Sequence, residues 1–245
     1  MQKNTIVSVI LVVLILLGGL AFWAFNRGVL YFNEGSMFPR FSKVAIMHPV
    51  PSLDRTPSYS TDFPAEGRIL YETKVTKLKE TLTKEPANLE AWLDLAIYYR
   101  MVGDHEGAIE IWEYLRTMYP QDSISRHNLG EYYFHTVKDY EKAEIYYEES
   151  IAVSPGLESN YTDMYEMYKY VYKQDTTAAL DILKRGIEKA AGPSAIQFKI
   201  MLGREYRDRG DKENAKKYLT EARDAAQEAG NRSLSNDLTR EISAL

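Results

Sequence analysis

The stretch AWLDLAIYYRMVGDHEGAIEIWEYLRTMYP, residues 91–120, decides how this chain folds. Its pattern runs through Trp92, Leu95, Ala96, Tyr99, Gly103, Ala108, Trp112 and Pro120. The large residues before the glycine fall three and four positions apart, so they share one face of a helix. The two alanines leave room for a second helix to pack closely against the first. The stretch therefore predicts a pair of closely packed helices.

The pattern returns three more times along the chain. The second copy has Leu129, Gly130, Tyr133, Ala143, Tyr147 and Pro155. It is displaced by 34 residues in the first helix and by 35 in the second, so one residue is inserted in the turn. The third copy has Tyr161, Met164, Tyr165, Tyr168, Ala179 and Leu183, and the fourth has Leu202, Gly203, Tyr206, Gly210, Ala215, Leu219 and Ala222. A unit repeated at this period predicts a stacked helical array.

These copies resemble the tetratricopeptide repeat (TPR), and the first matches it at nearly every signature position. The resemblance implies an all-α fold, a right-handed TPR-type helical solenoid of about four repeats plus capping helices. The predicted boundaries are a solenoid over 67–245, with a half-repeat cap at 68–86, repeats at about 89–122, 123–157, 158–195 and 196–229, and a C-terminal cap helix at 231–245. Tyr165 stands where the earlier copies have a small residue, which puts the normal close crossing of the third pair in doubt.

An uncharged stretch, residues 5–25, is long enough as a helix to cross a hydrocarbon core of about 30 Å. It predicts a single transmembrane helix in front of the solenoid, inserted in the lipid bilayer and preceded by a short tail at 1–4. A signal peptide cleaved near Ala21 is the alternative, with a secreted product. The short tail favours an extracytoplasmic repeat domain, although the basic residues counted around the helix lean the other way.

Residues 26–66 contain five prolines and no sustained helical or strand period. We interpret this segment as an extended linker that holds the solenoid away from the bilayer. The alternative is that its apolar residues, Phe38, Phe41 and the stretch 44–47, dock on a partner or back on the solenoid.

In tetratricopeptide stacks the first helices line a groove, and the resemblance places a partner-binding site there. The residues at the equivalent positions are Leu93, Ile97, Arg100, Met101, His127, Asn128, Glu131, Phe134, Glu166, Tyr170, Ile200, Arg204 and Arg207. We expect a peptide or helix of another protein, with an apolar anchor near the front of the groove and an acidic group near the arginines at the back.

Other side chains are expected to fill the core. Trp92 and Trp112 belong to the first helix pair, and a tyrosine stripe in the third copy lies at helical spacing. The stripe consists of Tyr161, Tyr165, Tyr168 and Tyr172.

Composition excludes several classes of function. The formal net charge of -5 argues against nucleic acid as a partner, since binding to phosphates needs a concentrated basic face. There are no cysteines, and the histidines lack partners at metal-ligand spacing, so we expect no metal and no cofactor. No catalytic motif is present, so we expect no enzyme. The leading hypothesis is a membrane-anchored scaffold or adaptor, and the alternative is a structural protein that self-associates into homo-oligomers.

Overall fold

The computed structural model describes residues 30–31, 40–41, 49–57, 59–61, 63–174 and 176–245. The chain divides into two units, Met1–Pro49 and Val50–Leu245. In the first unit, β1 (Leu30–Tyr31) pairs antiparallel with β2 (Arg40–Phe41), with Leu30 opposite Phe41.

The predicted membrane helix over 5–25, the tail before it and the cleavage alternative near Ala21 all lie outside the described residues. So do Phe38 and the stretch 44–47. Among the helices that the structure describes, none has the length and hydropathy needed to cross a bilayer. Membrane anchoring therefore stays a prediction from the sequence.

The second unit is built from helices that follow one another with short turns. In chain order they are α1 (Ala65–Lys84), α2 (Leu89–Met101), α3 (His105–Met118), α4 (Ile124–Tyr132), a π-helical turn (Tyr133–Val137), α5 (Tyr140–Val153), α6 (Glu158–Tyr170), α7 (Ala178–Lys189), α8 (Gly192–Asp208), α9 (Lys212–Glu228) and α10 (Arg232–Ser243). Each helix packs on the next one along the chain, which is the arrangement of a helical solenoid. The predicted right-handed sense of its superhelix stays a prediction.

Aspartates begin the second helix of three repeats. Asp104, Asp139 and Asp211 each accept a hydrogen bond from the backbone N–H three residues later, at 3.1, 3.1 and 3.0 Å. The carboxylate satisfies an N–H that has no partner within the helix, and its charge suits the positive end of the helix dipole. The start of these three second helices is thus encoded locally, whereas α7 begins after Thr177 without a side-chain cap.

The inserted residue of the second repeat is absorbed at the end of α4. The chain there widens into the π-helical turn, and the backbone N–H of Asp139 reaches back to the carbonyl of Tyr133 at 3.0 Å. Lys138 takes a left-handed conformation with φ 62°. A π turn takes in one residue more than an α turn, so the insertion lengthens the turn without breaking the stack.

The core forms along the whole stack, and Trp92 and Trp112 lie in its front part, 1% and 0% exposed as predicted. In the third repeat Tyr161, Tyr165 and Tyr168 are also buried, which confirms them as core residues. Tyr172 is only partly buried against the same cluster.

The bulk of Tyr165 is accommodated without loss of the helix pair. Its ring is buried, and its hydroxyl donates to Glu205 of α8 at 3.0 Å. Helices α6 and α7 still pack against each other, as the other pairs do.

The second half of the predicted linker differs from an extended spacer. Residues 50–57, 59–61 and 63, called here the strap, pack on α1 and on the first repeat. Tyr59 and Phe63 pack edge-to-face against Tyr71, with ring centroids 5.6 and 5.9 Å away. Arg55 forms two hydrogen bonds with the buried carboxylate of Asp104, at 2.8 and 2.7 Å. The prolines and aromatic residues of the linker show no helical period, and such a sequence fits a segment docked on the solenoid as well as an extended spacer.

Candidate protein-binding face

The first helices of the repeats lie side by side and are joined by polar pairs. From front to back the pairs are Arg100–Glu131 at 2.7 Å, His127–Asp163 at 3.8 Å, Lys169–Glu205 at 2.8 Å and Arg204–Glu241 at 2.9 Å. They link α2 to α4, α4 to α6, α6 to α8 and α8 to α10 in turn. We call the surface that carries them the first-helix face.

The front of the first-helix face is apolar. Ile97 and Met101 are 39% and 58% exposed, and they are neighbours on α2 because they are four residues apart. Ile124, on α4, is 48% exposed. The Arg100–Glu131 pair sets an offset of 31 residues between the two helices, which puts Ile124 level with the partly buried Leu93.

A chain of hydrogen bonds fixes the imidazole at the middle of the face. Ser150 donates its hydroxyl proton to the carbonyl of Ser123 at 2.9 Å and accepts from the side-chain amide of Asn160 at 2.9 Å. The amide oxygen of Asn160 therefore faces His127 Nδ1, 3.0 Å away. Because this oxygen only accepts, the proton of the neutral ring is on Nδ1.

The other ring nitrogen of His127 faces Asp163, with Nε2 3.8 Å from Oδ2. In the neutral ring this nitrogen carries a lone pair and donates nothing to the carboxylate. Asp163 thus gains an ionic partner here only when the ring takes up a second proton.

Asp163, Glu131 and Glu166 form what we call the acidic cluster. Burial raises the pKa of Asp163, and the charges of Glu131 and Glu166 raise it further, while His127 and His135 act in the opposite direction. Two carboxylates of like charge next to a partly desolvated one disfavour its ionised form.

Tyr147 of α5 projects between the first helices toward this cluster. It is fully buried, and its hydroxyl makes no hydrogen bond of normal geometry within the described residues. Burial, followed by the charges of Asp163 and Glu131 and a contact between the hydroxyl and the Asp163 carboxylate, raises the pKa of this hydroxyl. Gly130 permits this position, since a Cβ there would lie 2.7 Å from the tyrosine ring.

At the back of the face the predicted arginines already have partners. Arg204 and Arg207 both bind Glu241 of α10, with closest distances of 2.9 and 2.8 Å. Ile200, predicted to line the groove, is instead buried at 3% exposure in a cluster with Leu238 of α10. The terminal helix packs against α9 and covers that position, so Ile200 is not a surface residue.

The remaining predicted residues fall in different environments. Phe134 lies in the π-helical turn, partly buried, with its ring 6.3 Å from that of Tyr140. Tyr170 is 61% exposed, and Glu166 is also exposed. Asn128 is half-buried.

Sequence reasoning missed three residues of this face. Asn160 and Asp163 on α6 were not among the predicted site residues, and neither was Glu241 on the cap helix. His127 and Asn160 are 33 residues apart, one fewer than the repeat period. A search for polar residues separated by one repeat, with a tolerance of one residue, therefore finds this pair.

The described residues contain no group of three or more His, Asp or Glu side chains placed to hold a metal ion. The acidic cluster therefore lacks the convergent geometry of a metal site.

Two parts of the chain match known repeat profiles. Residues 93–158 and residues 196–228 each match a family described as tetratricopeptide repeat, and the third copy lies between them. The chain thus contains tetratricopeptide repeats, arranged as an all-helical solenoid.

Among solved structures, the crystal structure of MamA is similar, with a TM-score of 0.50 and 19% sequence identity. The alignment covers 70% of this chain and 99% of that chain. A likeness at this identity concerns the fold. No curated protein matches the sequence.

Proposed function

We propose that this chain is a membrane-anchored scaffold that binds a peptide or helix of a partner protein on its first-helix face. The apolar patch at the front of that face supports the proposal most directly. Ile97 and Met101 are large, exposed and one turn apart on α2, and Ile124 is exposed on the neighbouring helix α4; exposed apolar side chains grouped on one face are typical of interaction sites.

The proposed mode of binding places apolar side chains of the partner against this patch. The rest of the face is polar, and most of its charged side chains form ion pairs within the chain. Such a surface suits the rim of an interface, where charges affect the rate of association and the choice of partner. Leu93 and Arg100 border the patch and are part of the proposed contact.

The anchor is proposed from the sequence, since an uncharged 21-residue stretch at 5–25 fits a bilayer. We place the repeat domain on the extracytoplasmic side. Protease added to cells stripped of any outer layer should then digest the repeats, and a fully protected domain would exclude this orientation.

Site-specific photo-crosslinking on the full-length chain tests the binding face. A photoreactive phenylalanine at Met101 or Ile124 should crosslink to one and the same partner in native membranes. Ile145 on α5 is the matched control, because it is similarly exposed, at 56%, but belongs to a second helix.

Equal crosslinking at all three positions, or at Ile145 alone, would exclude the first-helix face. A crosslinked product with the mass of two copies of this chain would favour self-association instead.

A further inference from the structure

The middle of the first-helix face has an excess of negative charge. Of the acidic cluster, Glu131 is paired with Arg100, whereas Asp163 and Glu166 have no lysine or arginine within ion-pair distance in the described part of the chain. Within the described residues, the basic side chain at that distance from Asp163 is His127, whose facing nitrogen carries a lone pair when the ring is neutral.

Lys169, Arg204 and Arg207 of the same face already form ion pairs within the chain. Lys169 binds Glu205 and Asp208 at 2.8 and 3.3 Å, and both arginines of α8 bind Glu241. The pairing therefore leaves a local deficit of positive charge between α4 and α6.

Tyr147 adds a second observation at this place. Its hydroxyl is fully buried beside Asp163 and forms no hydrogen bond of normal geometry within the described residues, which is unfavourable for a phenol. Its hydroxyl lies among the same carboxylates, so a cation placed there completes a polar network that is unsatisfied in the free chain.

We propose that Asp163 and Glu166 bind a lysine or arginine side chain of the partner, next to the apolar patch. This inference rests on the proposed function, because it names the chemistry of the segment bound on the same face. A side-chain ammonium or guanidinium donates several hydrogen bonds and balances the charge of both carboxylates.

The helix spacing sets where the basic residue stands in the partner. Neighbouring helices lie about 9 Å apart, so α2 and α6 are separated by about 18 Å. An extended peptide advances about 3.3 Å per residue. The basic residue should therefore stand about five or six positions from the apolar anchor that contacts Ile97 and Met101.

Selection of phage-displayed random twelve-residue peptides on the full-length chain in detergent tests this inference. Selected peptides are then synthesised, and their affinities are measured by fluorescence anisotropy. The variants are Asp163→Asn and Glu166→Gln, which keep the side-chain shape and remove the charge. Glu141→Gln is the control for net charge, since Glu141 is exposed on α5, away from the face.

We expect peptides whose binding depends on Ile97 and Met101 to carry Lys or Arg at that spacing. Asp163→Asn or Glu166→Gln should lower the affinity for these peptides by about tenfold or more. Replacing the basic residue of the peptide by Gln should lower it to a similar extent, and Glu141→Gln should leave it unchanged. Peptides that depend on Ile97 and Met101 but are insensitive to both carboxylate variants would overturn the inference and leave the proposed function standing. Failure of Ile97→Ala and Met101→Ala to affect any selected peptide, or selection of none, would overturn both.

Discussion

Arg204 of α8 and Glu241 of α10 form a bidentate ion pair, with Nε–Oε1 3.0 Å and Nη2–Oε2 2.9 Å. Arg207 adds a third contact to the same carboxylate at 2.8 Å. The C-terminal cap helix thus supplies the acidic group that the sequence led us to expect from a partner. These arginines hold the end of the solenoid together in the free chain.

Glu241→Gln should loosen α10 without unfolding the repeats. Both arginines are more than 40% exposed, so the loss in free energy of unfolding should be about 0.2 to 1 kcal/mol. Hydrogen exchange of amides within Arg232–Ser243 should become faster, and exchange in α2 and α3 should not change. Arg240→Gln is the control, because Arg240 is 79% exposed and binds only within α10. Equal exchange in both variants would show that the pair does not hold the helix.

Trp112→Ala should lower the free energy of unfolding by about 3 to 5 kcal/mol, because a fully buried side chain is removed and a cavity remains. The indole nitrogen has no hydrogen-bond partner among the described residues, so the loss is one of packing. Chemical denaturation followed by circular dichroism measures it. Met118→Ala, at a position 47% exposed, should change stability far less. An unchanged transition for Trp112→Ala would contradict the assignment of the first repeat.

Gly130→Ala should destabilise the second repeat by about 1 to 3 kcal/mol. A Cβ at this position would lie 2.7 Å from the ring of Tyr147, which is buried and has little room to move. Gly156→Ala is a matched control, since a Cβ there meets no atom within 4 Å. A thermal melt that ranks Gly156→Ala as the more destabilising change would contradict the close approach of α4 and α5.

The predictable part of this fold is the part encoded at short range. Trp92 and Gly130 indicate a helix pair through the size of one side chain and the absence of the other, and both act on residues within one repeat. The inserted residue before Ala143 was visible in the same way, although its form as a π turn was not.

The binding face was harder to predict because its chemistry depends on pairs between repeats. Family positions identified Arg204 as a surface cation but gave no sign of Glu241, which lies 37 residues away. Likewise Ile200 fits a groove position, and only the packing of α10 shows that it is covered. The docking of Arg55 on Asp104 joins residues 49 apart and left no periodic signal.

Arg55→Ala should lower the free energy of unfolding by about 2 kcal/mol. The change removes two hydrogen bonds from Asp104, whose side chain is 1% exposed, and loss of a charged partner by a buried carboxylate is unfavourable even though Asp104 keeps the hydrogen bond from Gly107. We expect a smaller loss of stability than for a fully buried ion pair because the side chain of Arg55 is 24% exposed. Lys74→Ala, an exposed position on α1, should stay within about 0.5 kcal/mol of the wild type. Faster proteolysis between residues 50 and 63 should accompany the loss, and an unchanged cleavage pattern would contradict the docked strap.

Asp163 gives the solenoid a pH dependence whose sign follows from its surroundings. Burial and the charges of Glu131 and Glu166 hold its pKa in the folded chain above the unfolded value, against the opposing effect of His127 and His135. The folded state then binds the proton more tightly than the unfolded state. The favourable contribution of the protonated Asp163 carboxyl to the free energy of unfolding is therefore present at pH below the unfolded pKa of about 4. It is lost as the pH rises through the pKa of the folded state.

Asp163→Asn should therefore stabilise the chain at pH 7, since asparagine keeps the shape and cannot ionise, and the gain should shrink toward zero as the pH falls to about 3.5. Denaturant unfolding of the wild type and the variant, measured in parallel from pH 3.5 to 7, gives this difference directly. Asp181→Asn is the control, because that carboxylate on α7 is exposed and pairs with Lys184 on its own helix. Asp163→Asn should also weaken the binding of a basic peptide. A side chain that lowers stability but contributes to binding is typical of a functional site. A loss of stability at pH 7 for Asp163→Asn would mean that the carboxylate is already satisfied within the solenoid.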